Sequence, residues 1–205
     1  MLLVKFKKIN SFAFCSYLNC RDVINQTIKR AGIEVAYSQG FNPHELLYFS
    51  PPTSLGVASE CEYVTIYTDD CADFKERFNA NAPAGLQVVW AKQIEKRPDF
   101  YTLIDYAKYT IEVDETKQTP DLSRLNCTIF DEKKQANTDI RGQIYSITFS
   151  DNKFECVVEC GQKRNLKVAN LIKCLKNSFD INIKSICKDD IYKKKEKLIS
   201  VDDLF

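Results

Sequence analysis

The sequence predicts an α+β protein made of two tandem ferredoxin-like domains, each with the element order βαββαβ. Two periodicities and one repetition support this fold class. Apolar residues alternate with period two in the predicted strands and recur at steps of three and four in the predicted helices. The same order of elements occurs twice within 205 residues. We predict domains at residues 1–97 and 105–192, joined by a charged, proline-containing segment and followed by a basic-to-acidic C-terminal tail at 193–205.

The first helix has the clearest limits in the first domain. Ser16 is a residue type that caps helix N-termini, and Gly32 is a type that ends helices. Lys29 and Arg30 lie in the last turn, where positive charge complements the helix dipole. The apolar and small side chains fall on one helical face at Tyr17, Cys20, Ile24, Ile28 and Ala31.

The other elements of the first domain follow from shorter patterns. In the third strand Glu62 shares a face with Val64 and Ile66, because side chains alternate along a strand. Asp69 or Asp70 is expected to cap a short second helix. That helix carries Ala72, Phe74 and Phe78. The four strands are expected at residues 2–8, 46–49, 60–68 and 86–94.

The second domain is predicted to repeat this order. Thr119-Pro120-Asp121 opens a weak helix that ends near Phe130, and residues 131–138 form a polar loop. A hairpin turns at Ser150-Asp151-Asn152. One face of its second strand carries Phe154, Cys156, Val158 and Cys160. The last helix carries Val168, Leu171, Ile172 and Leu175. The strands are expected at residues 106–114, 139–150, 153–160 and 181–187.

The overall charge excludes a global attraction to nucleic acid or to membranes. The chain has 29 Lys and Arg and 28 Asp and Glu, which gives a net charge of +1, so any such attraction must be local. No apolar run approaches the roughly 18 residues of a membrane span, and the N-terminus lacks a signal-peptide cleavage site. We therefore expect a cytoplasmic protein with no membrane partner.

The cysteine and histidine content argues against a metal centre. The nine cysteines are odd in number and include no CxxC pair, whereas zinc and iron–sulfur sites usually use closely spaced thiolates. A single histidine excludes a multi-histidine site, and the GxGxxG, GxxxxGK[ST] and GxSxG motifs are absent. We expect no metal and no cofactor, and interpret the cysteines as buried thiols in a reducing compartment.

The segment YSQGFNPHELLYFSPPTSLG at residues 37–56 predicts a rigid recognition loop. Its glycines permit unusual backbone angles and its prolines restrict the chain before binding. Phe41 and Phe49 are expected to anchor the loop to the core. The candidate binding residues are Tyr37, Ser38, Gln39, Asn42 and His44.

His44 is also a weak candidate for a catalytic acid or base, because a histidine in a loop can titrate near neutral pH. Its possible partners nearby are Tyr37, Ser38 and Glu45. In the alternative interpretation the ring simply hydrogen-bonds its own loop. The two interpretations differ in whether the protein is an enzyme, and the sequence favours a protein that is not.

Positive charge is concentrated near the C-terminus. Residues 161–197 contain eleven Lys and Arg and four Asp and Glu, a local net charge of +7. Phosphate groups need positive charge without strict spacing, and ferredoxin-like sheets are a common RNA-binding platform. The RNP1 motif is missing, and a solvated lysine-rich surface is the alternative. The candidate RNA phosphate contacts are Lys163, Arg164, Lys167, Lys193, Lys194 and Lys195.

One segment carries a family resemblance. RAGIEVAYSQGFNPHELLYFSPPTSLGVASECEY at residues 30–63 resembles the signature of the uncharacterised radical SAM-linked protein family. Members of that family are fused to, or encoded beside, a cobalamin-binding radical SAM protein, so the resemblance implies a radical SAM protein as partner. The family usually has serine-histidine-leucine-aspartate where Ser16-Tyr17-Leu18-Asn19 stands here, and a basic residue near Glu45-Leu46.

Together these features lead to a functional expectation. We expect a non-catalytic accessory protein that binds RNA or presents substrate to a partner radical SAM enzyme. Two alternatives stay open: a metal-independent hydrolase or ribonuclease that uses His44, and a purely structural protein–protein adaptor.

Overall fold

The computed structural model describes residues 1–116, 118–131 and 135–205. These residues have a mixed α+β structure, which confirms the α+β part of the prediction. The chain divides into an N-terminal unit, Met1–Tyr101 with Phe205, and a C-terminal unit, Thr102–Leu204. The α-helices in the described ranges are α1 (Tyr17–Arg30), α2 (Phe74–Asn81), α3 (Phe100–Leu103) and α4 (Val168–Ser178). None of these helices is long and apolar enough to cross a membrane.

The N-terminal unit has the element order predicted for it. Its strands lie side by side in the order β4-β1-β3-β2, and each neighbouring pair is antiparallel. Helix α1 joins the first two strands, and α2 joins the last two. The strands are β1 (Leu2–Lys8), β2 (Leu47–Phe49), β3 (Ala58–Ile66) and β4 (Leu86–Gln93).

Helix α1 begins and ends as its sequence indicates. The Ser16 side chain accepts a hydrogen bond from the Asn19 N–H at 3.2 Å, which satisfies a backbone donor of the first turn. After the helix, Gly32 adopts a φ of +63°, a conformation that glycine reaches without steric cost. The buried face of α1 packs into a core with residues of β1, β3 and α2, including Cys20, Ile24, Ile28, Val4, Phe6, Val64 and Phe78.

The cap predicted for α2 is wrong. The residue before the helix is Asp73, which has a φ of +47° and makes no side-chain capping bond. Asp70 instead accepts a hydrogen bond from the Arg77 guanidinium at 2.7 Å and one from the Glu34 N–H at 3.3 Å. The Arg77 bond lowers the pKa of the Asp70 carboxyl. An arginine partner binds a carboxylate more strongly than a neutral backbone N–H does, which explains why Asp70 does not cap the helix.

The C-terminal unit contains seven strands in its described residues. Five of them lie side by side in the order β11-β10-β5-β9-β8, with antiparallel neighbours. The other two, β6 and β7, form a separate antiparallel pair. The strands are β5 (Tyr106–Val113), β6 (Thr128–Asp131), β7 (Ala136–Asp139), β8 (Ile144–Ser150), β9 (Lys153–Glu159), β10 (Ile183–Lys194) and β11 (Leu198–Ser200).

The helix predicted at residues 119–130 is wrong. A single 3-10 turn spans Leu122–Arg124, and its Asp121 accepts hydrogen bonds from the Ser123 N–H at 3.0 Å and hydroxyl at 2.7 Å. The chain then enters β6, which buries Ile129. The predicted polar loop at 131–138 is also partly wrong, because its last three residues begin β7; residues 132–134 lie outside the described residues.

The hairpin and the last helix of this unit agree with the sequence. The β8–β9 turn has Asp151 and Asn152 at φ values of +49° and +58°, as a two-residue hairpin turn requires. Phe154, Cys156 and Val158 are fully buried on one face of β9. Helix α4 buries Val168, Leu171 and Leu175.

Residues 193–205, for which the sequence predicts a tail, are structured. Strand β10 continues to Lys194, and β11 pairs with it through Leu198–Ser200. A 3-10 turn at Val201–Leu204 follows, in which Val201 is fully buried. The C-terminal lysines are therefore held on a strand end and a tight turn.

Candidate functional site

The recognition loop is closed at its base by backbone pairing. Tyr37 and Glu45 form an isolated antiparallel bridge. Just outside it the Leu46 N–H donates to the Ala36 carbonyl at 2.9 Å, and just inside it the Ser38 N–H donates to the His44 carbonyl at 2.9 Å. These bonds bring the two arms of the loop together and leave residues 39–43 as its tip.

Ser38 and His44 bind each other across the loop. The His44 N–H donates to the Ser38 hydroxyl oxygen at 3.1 Å, and that oxygen lies 2.8 Å from His44 Nδ1. The histidine ring therefore hydrogen-bonds its own loop, as one of the two interpretations of the sequence expects. Ser38 is half-buried and His44 is exposed, so the pair holds the loop in shape and presents the outer edge of the ring to solvent.

Glu45 fastens the loop base to helix α1. Its carboxylate lies 2.7 Å from the Lys29 ammonium, accepts from the Asn25 amide at 3.4 Å and accepts from the Tyr37 hydroxyl at 3.5 Å. The hydrogen bond from Lys29 is the largest cause of a lowered pKa for Glu45, and it raises the pKa of Lys29. Tyr37 and Glu45 thus bind elsewhere and do not form a catalytic pair with His44.

The loop tip presents an exposed aromatic ring. Phe41 is fully exposed, so the prediction that it anchors the loop to the core is wrong. Phe49 does serve as an anchor: its ring meets Phe6 edge to face at 6.5 Å and Tyr17 at 5.9 Å between ring centroids. At the tip Gly40 has a φ of +123°. Together with Gly40, the exposed tip side chains are Gln39, Phe41, Asn42 and Pro43.

A pocket lies at the other end of the same motif. Its walls come from β1, the first turns of α1, β2 with the residues after it, and β3. They include Lys8, Tyr17, Cys20, Phe49, Thr53 and Glu62. Lys8 and Glu62 are each only 5% exposed, and the Thr53 hydroxyl donates a hydrogen bond to the Glu62 carboxylate. Burial raises the pKa of the Cys20 thiol to about 12. The pocket therefore offers charged and neutral polar groups rather than a reactive thiolate.

The pocket residues are the part of the site that sequence reasoning missed. A signal for them exists, because Lys8 and Glu62 occupy inward-facing positions of strands whose neighbours on the same face are apolar. In β1 that face carries Leu2, Val4 and Phe6. A charged residue is rarely buried without a partner, so a lysine in this register indicates a polar site.

The predicted phosphate contacts lie in the C-terminal unit, and two of them have acidic partners. Arg164 lies 2.8 Å from the Glu159 carboxylate and donates to the Gly142 carbonyl at 3.2 Å. Lys193 lies 3.1 Å from the Asp105 carboxylate. The other four, which are exposed, are Lys163, Lys167, Lys194 and Lys195.

Strand register brings the two groups of basic residues to one end of the unit's sheet. Tyr106, the first residue of β5, pairs with Glu159 at the end of β9 and with Tyr192 near the end of β10. Residues 163–167 follow β9, and residues 193–195 complete and follow β10. The six basic residues therefore share one end of this sheet.

Two tyrosines lie beside these basic residues. The rings of Tyr106 and Tyr145 are 5.3 Å apart between centroids, and the Lys194 ammonium lies 5.8 Å from the first and 6.0 Å from the second. Tyr145 is 55% exposed. We call Tyr106, Tyr145 and the six predicted phosphate contacts the basic surface. The sequence indicated its charge but not its aromatic pair, because Tyr106 and Tyr145 meet through strand pairing.

A family model described as "Uncharacterized protein conserved in bacteria (DUF2344)" matches residues 1–168. The chain belongs to this family. No match to the chain was found among curated proteins.

The DUF2344 match covers the recognition loop, the pocket and part of the basic surface. It includes Lys163, Arg164 and Lys167 and ends at the first residue of α4, before Lys193–Lys195. Within the described residues of this DUF2344 protein, no group of three or more His, Cys, Asp or Glu side chains is placed to hold a metal ion.

Proposed function

We propose that this DUF2344 protein is a non-catalytic accessory protein that binds single-stranded RNA through its basic surface. The observation that carries the proposal is the position of Lys194 beside the Tyr106–Tyr145 pair, with exposed lysines at the same sheet end. Lysines attract the phosphate backbone, and unpaired bases stack on exposed aromatic rings. The alternative, a lysine-rich surface that is merely solvated, does not account for the exposed Tyr145 ring beside Lys194.

The proposed architecture is ferredoxin-like in both units. In the N-terminal unit the strand order is β4-β1-β3-β2, and in the C-terminal unit β10-β5-β9-β8 occupy the corresponding places. Strand order and antiparallel pairing support the proposal in both units. The pair β6–β7 replaces one crossover helix in the second. Ferredoxin-like sheets are a frequent platform for single-stranded RNA.

The proposed partner is a radical SAM enzyme, to which the protein delivers RNA as substrate. The support is the resemblance of residues 30–63 to the radical SAM-linked family. The exposed side chains of the recognition loop, Gln39, Phe41, Asn42 and His44, form the proposed contact with that enzyme. The proposed compartment is the cytoplasm, in keeping with nine cysteines that form no disulfide.

RNA binding is tested by fluorescence anisotropy with a labelled single-stranded RNA. We expect the double variant Lys194→Met/Tyr145→Ala to bind about tenfold or more weakly, because it removes one cation and one stacking platform. We also expect the wild-type affinity to fall steeply with added salt. The matched control is Lys184→Met, since Lys184 lies near the opposite end of β10 and pairs with Asp114 at 3.5 Å.

Three results would overturn the proposal. An RNA affinity that changes neither with added salt nor in the double variant would exclude the basic surface as the RNA-binding site. Cleavage of the RNA by the wild type, lost in His44→Ala, would replace the accessory role with the ribonuclease alternative. If RNA does not bind while a radical SAM enzyme still does, the protein is an adaptor.

A further inference from the structure

Strand β8 is the outermost strand of the sheet in the C-terminal unit. Among the described residues β9 is the strand that pairs with it, and its other edge is open. Its seven residues, IYSITFS, include no charge, no proline and no glycine. Open strand edges pair readily with other chains, and proteins usually protect them with charged residues, proline, bulges or short length. The open edge of β8 is therefore a place where another strand can add.

The other outer strands of the described residues have more of this protection. Strands β2 and β11 are each three residues long, and β4 carries the exposed Lys92. Strand β8 has one protective feature, a register shift between Ile144 and Ser146. This bulge occupies one end of the strand and leaves Ser146–Ser150 as a regular, uncharged segment.

The hairpin fixes which backbone groups of this segment point to the open edge. Ser150 pairs with Lys153 across the two-residue turn, and the pair that closes such a turn is joined by backbone hydrogen bonds. Hydrogen-bonded and non-hydrogen-bonded pairs then alternate along the strands. Ile147 and Phe149 belong to the second kind, so their N–H and C=O groups point away from β9 and toward the open edge.

The side chains of the segment complement a reversed copy of the same segment. When an antiparallel copy is centred on Thr148, Ile147 lies opposite Phe149 and Ser146 lies opposite Ser150. Ser146, Thr148 and Ser150 are exposed, whereas Ile147 and Phe149 are half-buried. Hydroxyl residues thus meet hydroxyl residues and apolar residues meet apolar residues, and both kinds of cross-strand pair are favourable.

The backbone selects the same centre as the side chains. With the axis at Thr148, Ile147 and Phe149 of one copy form hydrogen-bonded pairs with Phe149 and Ile147 of the second copy. The two Thr148 residues then form the non-hydrogen-bonded pair between them, as the alternation of an antiparallel ladder requires.

Charge also permits a second copy at this edge. Ile144 pairs with Val158, next to Glu159 at the end of the sheet that carries the basic surface. In an antiparallel pair of β8 strands these ends point in opposite directions, so the two positively charged ends do not meet. Each chain has one β8 edge, and its use closes the assembly at two copies.

We propose that β8 pairs antiparallel with β8 of a second copy of this chain, about a twofold axis at Thr148, to form one continuous sheet. The paired segment is short, so we expect a reversible dimer with a Kd of about micromolar order or weaker. This inference goes beyond the proposed function and does not depend on RNA binding.

The test is sedimentation equilibrium of the full chain over a range of concentrations, without RNA. We expect Thr148→Lys to weaken the dimer by about tenfold or more, because it places two ammonium groups directly opposite each other across the axis. Thr148 is exposed, so the variant should fold. The matched control is Gln87→Lys, which adds the same charge at an exposed position of the outer strand β4 and should dimerise as the wild type does.

Two further variants test the position of the axis. Thr148→Glu should also be monomeric by itself, but an equal mixture of Thr148→Lys and Thr148→Glu should form a dimer, because opposite charges then face each other. An unfolded variant could not pair in this way, so the mixture also shows that both variants fold. Ser146→Lys should weaken the dimer less than Thr148→Lys does, since its side chain would face Ser150 of the second copy.

Three results would overturn the inference. The first is a wild type that sediments as a monomer at concentrations up to about 0.5 mM. The second is a dimer that Thr148→Lys leaves intact, which would place the interface elsewhere. The third is a mixture of Thr148→Lys and Thr148→Glu that stays monomeric, because the axis would then not lie at Thr148.

Discussion

The two units share a strand order but cover their sheets differently. In the N-terminal unit a 14-residue helix, α1, connects the first strand with the next. At the corresponding place the C-terminal unit has a 3-10 turn at Leu122–Arg124 and the pair β6–β7. The same four-strand arrangement therefore forms with a helix or with a hairpin in this position.

The difference shows which property of the connection matters. Helix α1 contributes Cys20, Ile24 and Ile28 to the core. The 3-10 turn buries no residue, and the apolar contribution comes instead from Cys127 and Ile129 on and beside β6. Apolar burial is the main favourable term in folding, so what the position requires is buried apolar side chains rather than a particular secondary structure.

The largest expected effect sharpens this comparison. Ile24→Ala should lower the free energy of unfolding of the N-terminal unit by about 2–5 kcal/mol, because it leaves a cavity in a core with little room to collapse. In the C-terminal unit Ile129→Ala should also lower the free energy of unfolding, since Ile129 is buried on β6. Urea denaturation measures both losses of stability, and hydrogen exchange assigns each loss to its unit.

The control is Leu122→Ala, in the 3-10 turn without buried residues. We expect a smaller cost, of about 1 kcal/mol, because Leu122 is only half-buried. A cost for Leu122→Ala that equals the cost for Ile129→Ala would show that the turn, and not the hairpin, replaces α1.

How far the sequence predicts each unit depends on how local its signals are. The Ser16 cap and the spacing of Cys20, Ile24 and Ile28 are contained within the helix that they specify, so α1 is predictable. In the second unit Thr119-Pro120-Asp121 resembles a helix start, but Asp121 binds Ser123 and closes a single turn. Beyond it Leu125, Cys127 and Ile129 alternate with period two, a signal for the strand that replaces the predicted helix.

The functional candidates divide in the same way. Ser38 and His44 are six residues apart, and their pairing was among the possibilities that the loop sequence raised. The pocket assembles Lys8, Tyr17, Thr53 and Glu62 from four segments, and the Tyr106–Tyr145 contact depends on strand pairing. Long-range register of this kind is set by the whole fold, so residue spacing alone does not reveal it.

A second prediction concerns the turns of the two units, where backbone strain differs. Asn152→Ala in the β8–β9 turn should cost about 1 kcal/mol, because alanine resists the left-handed conformation with a φ of +58° that asparagine tolerates. Asn152→Gly should be neutral or stabilising, since glycine reaches that conformation freely. In the N-terminal unit Gly40→Ala should also cost about 1 kcal/mol or more, although a Cβ there meets no atom within 4 Å.

Thermal unfolding of these three variants measures the effect. Because a Cβ at Gly40 has open space, any cost there comes from the backbone angle alone. A Gly40→Ala variant as stable as the wild type would mean that the loop tip relaxes to another conformation, and the tip would then not be rigid.

The smallest expected effect tests the attachment of the recognition loop to α1. Hydrogen bonding from Lys29 holds the pKa of Glu45 below its ordinary value of 4.5, so the charged form is favoured in the folded state. The resulting stabilisation is complete above pH 4.5 and is lost as the pH falls through the lower folded pKa. The Lys29 side chain is 61% exposed, and solvent screening keeps the stabilisation from such an exposed pair small.

Urea denaturation of the wild type and of Glu45→Gln at pH 6 and at pH 3 measures this pH-dependent stabilisation. The variant lacks the Glu45 carboxylate and keeps all other carboxyl groups. We expect the variant to be slightly less stable than the wild type at pH 6 and the difference to shrink at pH 3. Lys29→Met should remove the same pH-dependent difference, since the lysine is its largest cause. If Glu45→Gln instead costs the same at both pH values, the hydrogen bonds from Asn25 and Tyr37 hold the loop base, and the ion pair contributes nothing to its stability.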